Sequence, residues 1–404
     1  MKCRFCNHEL SVEFIDLEHT PASNSFLKHD DLNKTEYYFP LKLFVCDKCF
    51  LVQVDEYFNH EAIFSDDYVY FSSFSSSWVN HAKNYVDMIS EKLSLNGNST
   101  VIEIASNDGY LLQFFKSKNI PCFGIEPTKS TANEARKKGI HVIEDFFGYK
   151  LAQTLQKADL ILGNNVLAHV PDINDFVKGL KECLKQNGTI TMEFPHLLNL
   201  ILENQFDTIY HEHFSYLSLY TVKQIFNKQG LEIYDVEELP THGGSLRIYA
   251  KHSENLNIEI SKNVGYILQK EIDYKLNSLD GYKNFQQKTE KIKYDFLDFL
   301  LKTKRDGKKV VGYGAAAKGN TLLNYCGIKK DMIIFTADAS PHKQNRFMPG
   351  SHIPVVSPER IEKLKPDFVI IFPWNIKNEI VEKFSFIKEW GGKFVTAIPK
   401  LEIF

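Results

Sequence analysis

Nowhere in its 404 residues does the chain carry an apolar run long enough to cross a bilayer, and no apolar leader segment follows Met1, Lys2 and Cys3. Bulk charge of one sign is missing too: 48 Lys and Arg against 51 Asp and Glu leave a formal net charge of -3. Without a clustered basic stripe, a general nucleic-acid or membrane-surface binder is disfavoured, although a local patch can still meet one phosphate group. Repeats of fixed short period and low-complexity tracts are absent as well. These absences set the expectation of a cytoplasmic protein that works without nucleic acid or membrane, as a monomer. The seven cysteines then make no disulfide framework. The length is too great for one compact core and suits two or three domains.

Four of those cysteines are spaced for a metal. Cys3-x-x-Cys6 and Cys46-x-x-Cys49 bracket a short β-like segment, Tyr37 to Val45. Two such knuckles place four thiolates on one zinc ion, with no position left open for catalysis. A layer this small needs the metal to stand. After the knuckles, Phe64 to Trp78 is dense in hydroxyls and aromatics, and there Tyr68 and Tyr70 are candidates to present phenols to a ligand; a helix follows from Trp78 to Leu93.

From Asn98 the pattern becomes α/β. A buried strand, Val101 to Ile104, ends in Ala105-Ser106-Asn107-Asp108-Gly109 and a helix from Tyr110 to Lys118. The strand from Cys122 ends in Glu126-Pro127, about twenty residues beyond that turn, the spacing at which a carboxylate meets an adenosine ribose. Further strands end in Asp145-Phe146, in Asn164-Asn165 with His169 after them, and in Glu193. This predicts a doubly wound parallel sheet with a nucleoside site at its strand ends. A dinucleotide wants GxGxxG, and here the turn keeps only the last glycine and places an acid where a pyrophosphate would sit. S-adenosylmethionine is cationic and lacks phosphate, so Glu103 and Asp108 near its methionine part and Glu126 at its ribose make electrostatic sense.

Downstream, FDTIYHEHFSYLS (Phe206 to Ser218) puts Tyr210, His211, Glu212 and His213 side by side, groups able to move a proton near neutral pH. His242 to Arg247 reads as a tight turn or hairpin that brings an imidazole close to a guanidinium. A charged helical span from Ser261 to Lys308 has Phe285, Ile292, Phe296 and Phe299 at helix spacing, as a bridging helix would. The segment from Lys309 to Gly319 then opens a second Rossmann-like unit. In it Gly312, Gly314, Gly319 and Lys318, with Lys343 to Arg346, are placed to cradle a diphosphate.

Taken together, the knuckles, EIASNDG, GIEP, NNVLAHVPD, EFPHL, FDTIYHEHFSYLS, LPTHGGSLR, GYGAAAKGNTLLNYCGI and DASPHKQNRFMPGSHIPV resemble the sugar C-methyltransferases that act on nucleotide-linked keto-deoxysugars. The resemblance spans essentially the whole chain. It implies an N-terminal zinc-binding β layer (1–75), a central Rossmann-like class I methyltransferase domain (76–255), and a bridging helix with a C-terminal Rossmann-like domain that binds the nucleotide sugar (256–404). It further implies methyl transfer from S-adenosylmethionine to C3 beside a C4 ketone, through an enolate. His213 is then the base, oriented by Glu212, with Tyr210, Tyr68 or Tyr70 donating to the enolate oxygen. The cofactor would meet Glu103, Ala105 to Gly109, Glu126, Pro127, Asp145, Phe146, Asn164, Asn165 and His169. The nucleotide sugar would meet Tyr68, Tyr70, His242, Arg247, Gly314, Lys318, Lys343 and Arg346. Alternatives from other classes are methylation of a sugar hydroxyl, an NAD-linked sugar oxidoreductase and a zinc-based nucleic-acid-binding module.

Overall fold

The computed structural model describes residues 1–55, 57 and 71–404, so Tyr68 and Tyr70 lie outside the described residues. At the N-terminus β1 (Val12–Thr20), β2 (Phe39–Val45) and β3 (Val52–Val54) pair antiparallel. Strand β2 shows the period-two pattern behind this: Leu41, Leu43 and Val45 are buried while Lys42 and Phe44 are only half-buried.

The chain next lays down β4 (Val101–Ile104), β5 (Cys122–Ile125), β6 (His141–Ile143), β7 (Ala158–Asn164) and β8 (Leu184–Pro195). It leaves this sheet for β9 (Ser215–Tyr216) and returns as β10 (Leu231–Leu239) and β11 (Ser245–His252). The seven-stranded order is β10-β11-β8-β7-β4-β5-β6. The five strands β4 to β8 are parallel, as expected, and β10 and β11 extend the sheet at one edge, where β11 runs antiparallel to both β8 and β10. The reason is the short connection over 240–244, which can close a hairpin but not a parallel crossover. Strand order reverses at β4, flanked by β5 and β7, so the ligand crevice of such a sheet opens at the carboxyl ends of β4 and β7.

A third sheet holds β12 (Val310–Tyr313), β13 (Thr336–Ala337), β14 (Val355–Val356), β15 (Phe368–Ile371), β16 (Lys393–Thr396) and β17 (Glu402–Ile403). Only its last pairing, β16 with β17, is antiparallel. The charged span before it forms two helices, Lys262–Asp273 and Phe285–Arg305. In the second, Phe285, Ile292, Phe296 and Phe299 are all buried, as their spacing requires.

Strand β9 decides how the layers meet. It pairs with β3, Val52 facing Tyr216, so the chain that leaves the methyltransferase-like sheet at β8 is stitched into the N-terminal layer. Around this seam Phe14, Leu43, Phe206, Ile209, Phe214, Phe285, Phe296 and Leu322 share one apolar core, which joins the N-terminal strands, the bridging helix and the third sheet. Glu271, fully buried, accepts the backbone N–H groups of Leu219 and Tyr220 at 2.7 Å each and the ring Nε2 of His196 at 2.7 Å. It thereby supplies from outside the acceptors that the helix Leu219–Lys228 lacks at its N-terminus.

The four thiols of Cys3, Cys6, Cys46 and Cys49 lie within 4.8 Å of one another. Cys3 and Cys49, and Cys6 and Cys46, have Sγ atoms 3.5 Å apart, near the roughly 3.8 Å that tetrahedral Zn–S bonds impose. Both knuckles have the same backbone. Cys3 and Cys46 accept N–H bonds at 2.9 Å from Asn7 and Phe50, and those two residues have φ of 63° and 61°. The donor set and this preset backbone fit a closed structural zinc site. Elemental analysis should return one zinc per chain, and stripping it with a strong chelator should lower the melting temperature by about 10 °C, the shift from losing several kcal/mol in a chain of this kind.

Candidate active site

The segment Phe206 to Phe214 is fixed by its apolar members: Phe206 and Ile209 are fully buried and Phe214 nearly so. Between these supports the polar side chains point in three directions. His211 turns to the N-terminal layer, where its Nε2 meets the carbonyl of Pro40 at 3.0 Å and its ring packs on Phe39. Glu212 accepts Asn24 Nδ2 on both oxygens, at 2.8 and 2.9 Å. His213 faces the central sheet, with its ring 4.0 Å from that of Tyr210 and 4.6 Å from that of His169.

Glu212 therefore does not orient His213, the role that the resemblance implied for it; the chain turns here, the N–H of His213 donating to the carbonyl of Tyr210 at 3.0 Å, and the two side chains go to different partners. The orienting group is the carbonyl of Thr208, which accepts from Nδ1 of His213 at 3.0 Å. A carbonyl can only accept, so Nδ1 carries the proton and Nε2 keeps its lone pair. Burial, reinforced by the nearby His169, holds His213 well below its ordinary pKa of 6.5. Burial also lowers His169 to about 4 and raises the Glu212 carboxyl to about 7.

The crevice at β4 and β7 is strongly acidic. Glu103, at β4, is buried and its Oε2 lacks a hydrogen-bond partner among the described residues, as do Ser106 Oγ and Asp108 Oδ1, while Asp108 Oδ2 pairs with Lys138 at 3.3 Å. Burial first, then Asp108 and Glu126, push the Glu103 carboxyl well up. Ala105, Asn107 and Gly109 adopt φ of 56°, 49° and 73°, a backbone that brings the turn close to whatever sits above it. Glu126 accepts the N–H groups of Asn107 and Thr128 at 2.9 Å each, and Pro127 is half-buried beside it. Asp145 and Phe146 are exposed beyond β6, and Asn164 is half-buried at the end of β7 with Nδ2 unpartnered. Buried oxygens short of donors, in an acidic pocket, fit a cationic ligand carrying hydroxyl and amino groups.

On the other side, Asn165 Nδ2 meets His242 Nε2 at 2.8 Å, and the His242 ring stands edge-on to Trp78, 4.9 Å away. His242, Gly243 and Gly244 are three successive left-handed residues, with φ of 53°, 89° and 111°. A Cβ on Gly243 would lie 2.4 Å from Trp374 of the C-terminal unit, so only glycine allows that approach. Trp374 Nε1 in turn donates to Asp207 Oδ2 at 2.8 Å, and the Lys318 ammonium lies 4.4 Å from the Trp374 ring centroid.

Two of the residues assigned to the nucleotide sugar are placed differently. Arg247 is buried against Glu193 at 2.8 Å, Glu237 at 3.2 Å and the face of Tyr85, because alternation along β11 points it away from His242. The glycine turn at Gly314 is closed: the N–H of Ala315 donates to Asp338 Oδ2 at 2.7 Å, a carboxylate where a phosphate would need to be. Lys343 is turned to the carbonyl of Ala315 at 2.8 Å, and the guanidinium of half-buried Arg346 has no hydrogen-bond partner among the described residues.

Several site residues escaped the sequence reading. Glu193, at the end of β8, holds His81 Nε2 at 2.9 Å, Thr241 Oγ1 at 2.8 Å and Arg247, which depress its carboxyl to about 2 against the cost of its burial. A lone acid ending an apolar strand was the available signal. His81 and Asn24 had none, since each acts through a partner remote in sequence, and Thr208 acts through its backbone carbonyl, a group every residue type carries.

An acidic switch-point crevice beside a neutral, carbonyl-held imidazole defines a methyltransferase class of site, and the comparisons agree. Family models match in three stretches: a zinc binding domain at residues 3–64, a methyltransferase domain at 80–236, and a C-methyltransferase C-terminal domain at 240–399. C-methyltransferase NovU of Streptomyces niveus is 32% identical over 403 residues, 99% of this chain and 96% of that protein. The chain belongs to the S-adenosylmethionine-dependent C-methyltransferases. Among solved structures, magnesium protoporphyrin IX methyltransferase of Synechocystis PCC 6803 with bound cofactor is 15% identical, covering 50% of this chain and all of that one, with a TM-score of 0.37. A methyltransferase from Clostridium acetobutylicum is 11% identical, covering 42% of this chain and 90% of that one, at 0.34.

Replacing Glu193 by Ala should cost about 3–5 kcal/mol of stability, because it strips the partner from a buried guanidinium and an imidazole. Urea unfolding of Glu193→Ala beside the parent, with a Glu237→Ala control on the more exposed ion pair expected near 1 kcal/mol, measures it.

Proposed function

We propose that the methyl group goes to C3 of a nucleotide-linked 4-keto-deoxysugar and that His213 generates the enolate that receives it. The observation that carries this reading is the His213 imidazole, its Nδ1 held by the Thr208 carbonyl at 3.0 Å and its ring set against those of Tyr210 and His169. A carbon acid beside a ketone needs a neutral base at fixed distance, and methylation of a hydroxyl needs no site for an enolate oxygen.

In this reading Glu103, Ser106 and Asp108 meet the methionine part of the cofactor, and Glu126 keeps lone pairs for its ribose. Ala105, Asn107, Gly109 and Pro127 shape the pocket, Asn164, Asn165 and His169 close it on the β7 side, and Asp145 and Phe146 border the adenine end. S-adenosylmethionine supplies the electrophilic methyl group on its sulfonium. Nε2 of His213 removes the C3 proton, and Tyr210 lies against the imidazole where it can meet the sugar. His242 contributes a second neutral imidazole at the boundary between the two ligands, lowered by burial to about 4.

Incubation in deuterated buffer with S-adenosylhomocysteine, which blocks methylation, isolates the proton step. A panel of nucleotide-linked 4-keto-6-deoxysugars, followed by NMR, should show loss of the C3 proton signal for the true substrate. His213→Ala should slow it by about 10²–10⁴. Because the folded imidazole titrates well below 6.5, the rate should fall only as the pH drops well under that value, when the base becomes protonated. Retention of the C3 proton in a methylated product would instead assign the methyl to oxygen.

A further inference from the structure

Buried Asp207 and the half-buried Trp374 and Lys318 form a group that links the C-terminal unit to the base. Lys318 sits in the first turn of the helix Ala317–Tyr325, and its ammonium donates to Asn375 Oδ1 at 2.8 Å while lying over the Trp374 ring. An ammonium has three donors, and Asn375 is the hydrogen-bond partner of this one among the described residues; two N–H groups are left. Asp207 accepts the Trp374 indole N–H on Oδ2, and its Oδ1 is buried with no hydrogen-bond partner among the described residues. Asp207 is the middle residue of the turn Phe206–Thr208, whose last residue, Thr208, holds His213. The base and this cation are thus carried by adjoining pieces of chain.

Building on the enolate reading above, we propose that Lys318 is a catalytic residue, its ammonium donating to the sugar's C4 oxygen as that oxygen becomes an enolate, with Asp207 as the counter-ion that keeps the ammonium charged. In the step, the C3–H bond breaks with its proton passing to Nε2 of His213. Its electron pair forms the C3–C4 double bond, and the carbonyl π pair moves to the oxygen, where Lys318 hydrogen-bonds the new charge. Placing a fixed cation where charge develops acts on the transition state more than on the ground state. Two features separate this from the diphosphate role read from the glycine-rich motif. The turn next to Lys318 is closed by Asp338, so no phosphate cradle exists there. The helix that carries Lys318 is also tied to the segment of the base, Thr321 Oγ1 donating to the carbonyl of Ile209 at 2.7 Å. Burial lowers Lys318 to about 8, with Asp207 opposing, so the ammonium is poised to be lost under mildly alkaline conditions.

The exchange assay tests this directly. With sugar saturating, Lys318→Met should exchange the C3 proton about 10²–10³ more slowly at little-changed KM, and Lys318→Arg should recover part of the rate. Binding of S-adenosylhomocysteine at the parent affinity would show that the variant is folded. The parent rate should fall as pH rises through about 8; Asp207→Asn should move this limb to lower pH, and Lys318→Met should lack it. A Lys318→Met enzyme that exchanges at the parent rate once saturated, with KM raised, would assign Lys318 to the diphosphate and overturn the proposal. Absence of exchange in the parent would remove the enolate reading and this role together, whereas parent exchange that survives Lys318→Met intact removes this role alone.

Discussion

The pairing of β9 with β3 is the constraint on which the site depends. Two residues of strand would contribute little by themselves, but they join the methyltransferase sheet to the zinc-bearing layer at the place where the chain carries its acid–base groups. Because Phe206, Ile209 and Phe214 fill a core common to the N-terminal strands, the bridging helix and the third sheet, the backbone between them has little freedom. Thr208 and His213 inherit that rigidity. A hydrogen bond from a neutral imidazole to a backbone carbonyl fixes a tautomer only if the carbonyl cannot drift.

The zinc layer then has a role beyond its own folding. It offers the edge that receives β9, and the loop following β1 offers Asn24, which holds Glu212 away from His213. The turn over His242, Gly243 and Gly244 does similar work on the opposite side. There His196 donates to Gly244, Gln205 donates to Gly243 and Trp374 closes against the glycine, so three parts of the chain meet at a backbone that side chains would prevent.

Charge is divided around the proposed site. The crevice at β4 collects Glu103, Asp108 and Glu126, with Lys138 paired to Asp108 at 3.3 Å, while His169, His213 and His242 are kept neutral by burial. In the proposed reaction the first arrangement would favour a sulfonium, and Lys318 beside the imidazoles an enolate. Glu193 is engaged by Arg247 and His81 and also acts on His242, opposing the fall in its pKa.

Much of this was legible in the chain itself. Period-two and helical spacing mark strands such as β2 and the bridging helix, the CxxC pairs mark the metal, and strand-end acids mark the cofactor crevice, because each depends on neighbours only a few residues apart. The class of cofactor followed from a missing glycine pattern and the charge of Asp108. Tertiary structure alone decided which groups act together. The resemblance implied Glu212 as the partner of His213, but Glu212 is held by Asn24, far away in the chain, and the carbonyl of Thr208 orients the imidazole. The resemblance placed Arg247 at the nucleotide sugar and the spacing placed the turn at Gly314 on a diphosphate, but Glu193 and Asp338, from other parts of the chain, occupy them. Long-range pairing of that kind leaves no local signal, since its energy comes from desolvating two groups together and neither sequence neighbourhood records the other.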